Sequence, residues 1–194
     1  MRPKAPLRAR DALAQLQLDH VRIRRLLRQY DRVRLTDEIS REGKAEIVDD
    51  LCDALSLLAL LDEEIFYPVV RPALGGNASA QAAFFDHVLL GGLIAQLDEL
   101  PPGDHACDAV VADIGDRVVP CINAAEASLF EAVRNTGVDT LTLGMQMALR
   151  RREHRAQLPL RVLGSASVAG SHSLAALRWP QASGLVPAQG NAEP

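Results

Sequence analysis

The chain has 194 residues, 48% of them hydrophobic and 24% charged, which is enough for one domain with a buried core and too few for two ordinary domains. Aromatic residues make up only 4%, which argues against a base-stacking surface for nucleic acid. The net charge is −4, but the charges are unevenly distributed. Residues 1–34 contain ten Arg or Lys and three Asp, whereas residues 35–133 contain four Arg or Lys and nineteen Asp or Glu. This division favours complementary packing of helices.

The first predicted helix spans 10–34, where apolar residues recur at three- and four-residue steps and arginines fill other positions. One histidine interrupts the apolar stripe. The stripe comprises Leu13, Leu16, His20, Ile23 and Leu27.

The second predicted helix spans 40–74, with Ser40 as a capping residue. Pro68 should kink it, and Gly75-Gly76 should end it. One carboxylate lies on its apolar stripe, which comprises Ile47, Leu51, Leu55, Leu58, Asp62, Ile65 and Val69.

Two further long helices are predicted over 79–99 and 105–134, separated by a Pro-Pro-Gly turn, and Pro120 should bend the latter. The stripe of the third helix comprises Phe84, His87, Gly91 and Ile94. The stripe of the fourth comprises Val111, Ile114, Val118, Cys121, Ala125, Leu129 and Ala132.

A short fifth helix is predicted over 139–155, and no segment alternates with the period of a strand. We therefore predict an all-α fold, an antiparallel up-down four-helix bundle with a short fifth helix. The bundle domain spans 1–155. Residues 156–194 are rich in Ala, Ser, Gly and Pro and are predicted to form a disordered tail or an apolar arm.

The three cysteines are widely spaced and form no CxxC pair, so we expect a reducing compartment, the cytoplasm. The sequence shows no signal-peptide pattern and no apolar stretch long enough to span a membrane.

Polar residues on the apolar stripes form the candidate site. His20, Asp62 and His87 come from three different helices, at the level of Leu58, Cys121 and Ala125. A buried carboxylate without a partner is costly, and metal ligation by facing helices is one solution in bundles. Pairing of Asp62 with an arginine or a protonated histidine is the alternative.

These segments resemble a known family. LDHVRIRRLL at 18–27, EEIFYP at 63–68, FFDHVLLGGLIAQLDEL at 84–100 and the stretch 118–153 are similar to the haemerythrin-like, or HHE cation-binding, domain. The resemblance implies an up-down four-helix bundle that holds two non-haem iron ions and serves in oxygen, iron or nitric-oxide handling.

The resemblance also implies ligand positions, of which only some keep a ligand residue here. His20 and His87 match the family's histidines. The second-helix histidine and glutamate correspond to Leu58 and Asp62, and the fourth-helix pair to Cys121 and Ala125. Glu126, next to that position, is expected to point about 100° away from the ligand stripe.

The incomplete set predicts a non-enzymatic ligand-binding or sensing protein without an intact di-iron centre. His20, Asp62, His87 and Cys121 could hold one metal ion, iron or zinc, with a small gas as its ligand. A second hypothesis is haem with His20 and His87 as axial ligands, since the site has become more apolar. A third is a metal-free interaction module. No nucleic-acid partner and no membrane span are expected, and a homodimer is left open.

Overall fold

The computed structural model describes residues 11–35, 40–77, 80, 83–101 and 103–164, with side chains as far as residue 156. Every regular element in these residues is helical. The helices form an all-α bundle, as the apolar periodicity predicts.

The first helix, Ala12–Arg34, begins where the Asp11 carboxylate accepts a hydrogen bond from the Ala14 N–H at 2.8 Å. A carboxylate at this position satisfies one of the backbone donors that a helix start leaves free. The predicted stripe is buried, and His20, at 2% exposure, lies within it.

The second helix runs from Arg41 to Leu61, passes through a π-helical turn, Asp62–Phe66, and continues as Tyr67–Ala73. Ser40 caps its start, as predicted, by accepting from the Gly43 N–H at 3.3 Å. Gly75 and Gly76 follow its end with positive φ angles of 55° and 86°, a conformation that suits glycine.

The π-helical turn shifts the buried face of the second helix. A π turn inserts one residue into the α-helical register. Phe66 and Val70 are therefore buried, whereas Val69 is 43% exposed. Ile65 is partly buried and packs against the core, as predicted. The predicted continuation of the stripe to Val69 was wrong, because it assumed an uninterrupted α-helical repeat.

The third helix is His87–Glu99, and residues 83–86 are not helical. The prediction of one helix over 79–99 was therefore wrong. The Asp86 carboxylate starts the helix by accepting from the Leu89 N–H at 3.0 Å. The Phe85 N–H donates to the buried Tyr67 hydroxyl at 3.1 Å instead of to a helical carbonyl.

The fourth helix runs from Ala106 to Ala124, through a second π-helical turn, Ala125–Leu129, and ends as Phe130–Arg134. The Phe130 N–H bonds the carbonyl of Ala125, five residues back. The Ser128 hydroxyl donates a side-chain hydrogen bond to the Ala124 carbonyl at 2.8 Å.

The fifth helix, Thr140–Gly164, packs against the first two helices and is longer than the predicted 139–155. Arg151 pairs with Asp19 of the first helix, and Arg150 donates to Glu64 of the second at 2.6 Å. His154 of this helix is buried, at 6% exposure. The remainder of the predicted tail, residues 165–194, lies outside the described residues.

Within the described residues, no helix is long and apolar enough to cross a membrane.

Asp86 sets the start of the third helix, and its removal should destabilise the fold. Asp86→Ala should lower the free energy of unfolding by about 1 kcal/mol, because the Leu89 N–H loses its cap. Asp86→Asn should retain most of that stability. Urea denaturation followed by circular dichroism measures both changes.

The matched control is Asp116→Ala, since Asp116 lies exposed in the middle of the fourth helix. Its stability should not fall, because alanine favours the helix interior. Equal stability of Asp86→Ala and wild type would show that the cap does not define this helix start.

Candidate metal centre

Four polar side chains, each from a different helix of the bundle, meet its apolar interior. His20, Asp62 and His87 are each 2% exposed, as predicted for residues on the apolar stripes. The fourth is Glu126, whose side chain is 25% exposed. Leu58 and Ala125 are also buried, at 0% and 3% exposure.

The first pair joins the second and third helices. His87 Nε2 lies 3.4 Å from Asp62 Oδ2. Neither ring nitrogen of His87 has a hydrogen-bond partner within the described residues, although both are buried. An unpaired buried polar atom costs about 1–3 kcal/mol, so this histidine needs an explanation.

Aromatic rings enclose His87. Its imidazole stacks on Phe85 at 5.7 Å between centroids and on Tyr67 at 5.6 Å. Burial first, and then the negative charge of Asp62, raise the pKa of the Tyr67 phenol well above its usual range. Tyr67 therefore stays neutral beside the Asp62 carboxylate.

The second pair joins the first and fourth helices. His20 Nδ1 donates to Glu126 Oε1 at 3.0 Å, which leaves Nε2 as the ring nitrogen with the lone pair. Arg24, one turn after His20, donates through Nη2 to both carboxylate oxygens of Glu126, at 2.7 and 3.1 Å. Its Nη1 donates to Asn123 at 3.2 Å.

The prediction that Glu126 points away from the ligand stripe was therefore wrong, because Glu126 contacts His20. It lies at the second position of the π-helical turn Ala125–Leu129, where the 100° step of an α-helix no longer applies. The His20–Arg24 spacing of four residues was a signal that could have found it, because both side chains face the same neighbouring helix.

Cys121 does not join either pair. Its neighbour Ile122 is fully buried, whereas Cys121 is half-buried. Burial first, and then the charge of Asp86, raise the pKa of its thiol, so the thiolate that a metal prefers is disfavoured. In the described part of the chain, no three His, Cys, Asp or Glu side chains stand close enough to hold one metal ion. The predicted four-ligand set is thus not assembled.

Phe85 contacts both histidines. Its ring centroid lies 6.3 Å from that of His20 and 5.7 Å from that of His87. On its other side His20 stacks on Phe130 at 5.7 Å, with ring planes 9° apart. Aromatic side chains thus occupy space beside the imidazoles.

Comparison with known proteins connects this geometry to a family. The family model described as Hemerythrin HHE cation binding domain matches residues 11–133. The chain belongs to this family. The match includes all four helices that contribute the polar side chains, and it confirms the resemblance seen in the sequence.

A curated relative of this hemerythrin-family chain is described as "Antibiotic resistance protein" from Mycobacteroides abscessus. It is 31% identical over an alignment of 124 positions, which covers 57% of this chain and 22% of the relative. The chain thus spans about a fifth of that relative's length. No solved structure matches the chain.

The His20–Glu126 contact predicts a pH dependence in the metal-free protein. Burial lowers the pKa of His20 below its ordinary 6.5, although the Glu126 hydrogen bond opposes this shift. The unfolded chain therefore binds a proton that the folded chain does not. The contribution of His20 to the free energy of unfolding is therefore complete above pH 6.5 and should decrease as the pH drops below 6.5.

Glu126→Gln should lower the pKa of His20 further, because it removes the carboxylate that favours the protonated ring. Nuclear magnetic resonance titration of the His20 ring in wild type and variant measures the shift. Glu131→Gln, a change on the same helix, is the control and should leave the His20 titration unchanged. A pKa of His20 that rises in Glu126→Gln would contradict the geometry.

Proposed function

We propose that this hemerythrin-family protein is a ligand-binding or sensing protein that binds a single metal ion through His87 and Asp62. It acts without catalysing a reaction. The three cysteines are free thiols, which supports a reducing, cytoplasmic setting for it.

The unpaired ring of His87 carries this proposal. A buried histidine normally finds a partner for at least one ring nitrogen, and an unpaired one is a reason to look for an ion or water. The nearest carboxylate oxygen, of Asp62, lies 3.4 Å from Nε2. That separation is longer than an ordinary N–H···O hydrogen bond of about 2.7–3.2 Å.

The same separation suits two ligands of one ion. Zinc–nitrogen and zinc–oxygen bonds are about 2.0–2.2 Å, which places neighbouring ligands about 2.8–3.6 Å apart in octahedral or tetrahedral geometry. An imidazole nitrogen and a carboxylate oxygen are ligands that both zinc and ferrous iron accept. The donor pair therefore fits one divalent cation.

The donors do not fit the family's pair of iron ions. By the resemblance, Leu58, Cys121 and Ala125 stand where the family carries further ligands, and two of the three are wholly apolar. With His87 and Asp62 as its protein ligands, a single ion keeps open coordination positions. A bound ion would supply a Lewis-acidic centre at which a small ligand such as a gas could bind.

The remaining residues shape the surroundings of His87. Phe85 and Tyr67 stack on its ring and exclude water, while the neutral Tyr67 phenol faces the Asp62 charge. Asp62 also acts electrostatically on His20, where it favours the protonated ring. Its carboxylate is thus the group that the two histidines share.

The haem hypothesis is less well supported. A haem iron between His20 and His87 needs the space beside both rings, and Phe85 contacts each of them. The metal-free interaction module is the outcome expected if His87 and Asp62 are only an internal ion pair.

Metal retention tests the proposal. Wild-type protein incubated with Fe²⁺ under anaerobic conditions, or with Zn²⁺, should retain one equivalent after desalting, measured by elemental analysis. His87→Ala and Asp62→Asn should each lose it. The thermal midpoint of wild type should also rise with added metal, since an ion at 100 times its Kd stabilises by about 2.7 kcal/mol.

The control variant is His105→Ala, because the His105 side chain is 83% exposed and lies directly before the start of the fourth helix. It should retain metal as wild type does. A wild-type melting midpoint that is indifferent to both metals would reject the proposal and leave the interaction module. Haem retention with a bis-histidine absorption spectrum would favour the haem hypothesis instead.

A further inference from the structure

The two His–carboxylate pairs differ in what surrounds them. Among the described residues, His87 is the only basic side chain that forms an ion-pair contact with Asp62. His20 and Glu126 have Arg24, whose guanidinium donates to both oxygens of the carboxylate. One half of the site is therefore open to a cation, and the other half already contains one.

We propose that Arg24 is a built-in substitute for a second metal ion: its guanidinium occupies the cation position at Glu126 and restricts the protein to one ion. This inference rests on the single-ion site proposed above for His87 and Asp62. It assigns Arg24 and Glu126 the role of setting the number of ions bound.

The distance between the possible ligand atoms of His20 and Glu126 supports a cation position there. His20 Nδ1 and Glu126 Oε1 are 3.0 Å apart, within the range expected for two ligands of one ion. With the ring proton on Nε2 instead, the Nδ1 lone pair and Glu126 Oε1 could both ligate a cation. What differs is that Glu126 already accepts three hydrogen bonds, two of them from Arg24.

The permanent positive charge of Arg24 opposes metal binding at Glu126. A guanidinium stays protonated at every physiological pH, so it cannot leave the carboxylate by losing a proton. Metal binding at Glu126 would therefore have to displace a permanent positive charge. The Arg24 and Glu126 side chains are only 22% and 25% exposed, so water screens this pair less than an exposed one.

A further hydrogen bond holds the Arg24 guanidinium in place. Arg24 also donates to Asn123, one turn before Glu126 on the fourth helix. The guanidinium thus bridges two side chains of that helix and is held in place. A loosely held arginine would yield to a metal ion more easily.

The test is metal stoichiometry in charge-removing variants. Arg24→Met fills similar space without the charge, and Arg24→Gln keeps a hydrogen-bond donor without it. Each should retain one more equivalent of Zn²⁺ per chain than wild type after desalting. Arg24→Lys keeps a cation and should remain at the wild-type level.

Two further variants locate the added ion. Glu126→Gln combined with Arg24→Met should return the retained Zn²⁺ to the wild-type level. Arg22→Met is the matched control, because Arg22 lies on the same helix in an exposed pair with Asp50. It should bind as wild type does. Circular dichroism confirms that each variant is folded before metal is added.

The outcomes separate this inference from the proposed function. If wild type retains one ion and both Arg24→Met and Arg24→Gln also retain one, the role of Arg24 is rejected and the His87–Asp62 site stands. If wild type retains none while Arg24→Met retains one that Glu126→Gln removes, the proposed function fails and the role of Arg24 stands. Two ions in the wild-type protein would overturn the inference.

Discussion

The cost of placing ionisable groups inside an apolar bundle is the constraint on which this site depends. Each buried polar atom needs a partner, because its hydration is lost on folding. Glu126 meets this requirement with protein groups alone, through His20 and Arg24. His87 does not, since neither ring nitrogen has a hydrogen bond to the part of the chain that the structure describes. The polar groups of the His20–Glu126 pair are therefore satisfied by the protein, whereas the His87–Asp62 pair needs a ligand.

The π-helical turns place the two carboxylates in this interior. Asp62 begins one turn, and Glu126 is the second residue of the other. Such turns are rare and occur frequently at functional sites, because they alter the direction of side chains within an otherwise continuous helix. In the second helix the turn directly precedes Tyr67 and Pro68, and proline lacks the N–H that a regular α-helical bond would use. The local backbone and the site chemistry are therefore linked.

The sequence predicts the parts of the structure that follow a regular α-helical repeat. The burial of His20 and Asp62 could be predicted because the repeat is unbroken from each helix start to that residue. Glu126 and the end of the second-helix stripe could not, since a π turn changes the register without a distinctive residue pattern. The Asp86 cap at the late start of the third helix is a local signal that the sequence analysis missed. The hydrogen bond from the Phe85 N–H to the Tyr67 hydroxyl could not be predicted, because it joins residues far apart in the sequence.

The central claim is that one cation binds between His87 and Asp62 while Arg24 fills the equivalent place beside Glu126. An anomalous difference map from crystals of the wild-type protein grown with Zn²⁺ tests both parts in one measurement. The account predicts a single peak in contact with His87 Nε2 and Asp62 Oδ2, with Arg24 still bonded to Glu126. A map without a peak at His87, or with a peak between His20 and Glu126, would contradict it.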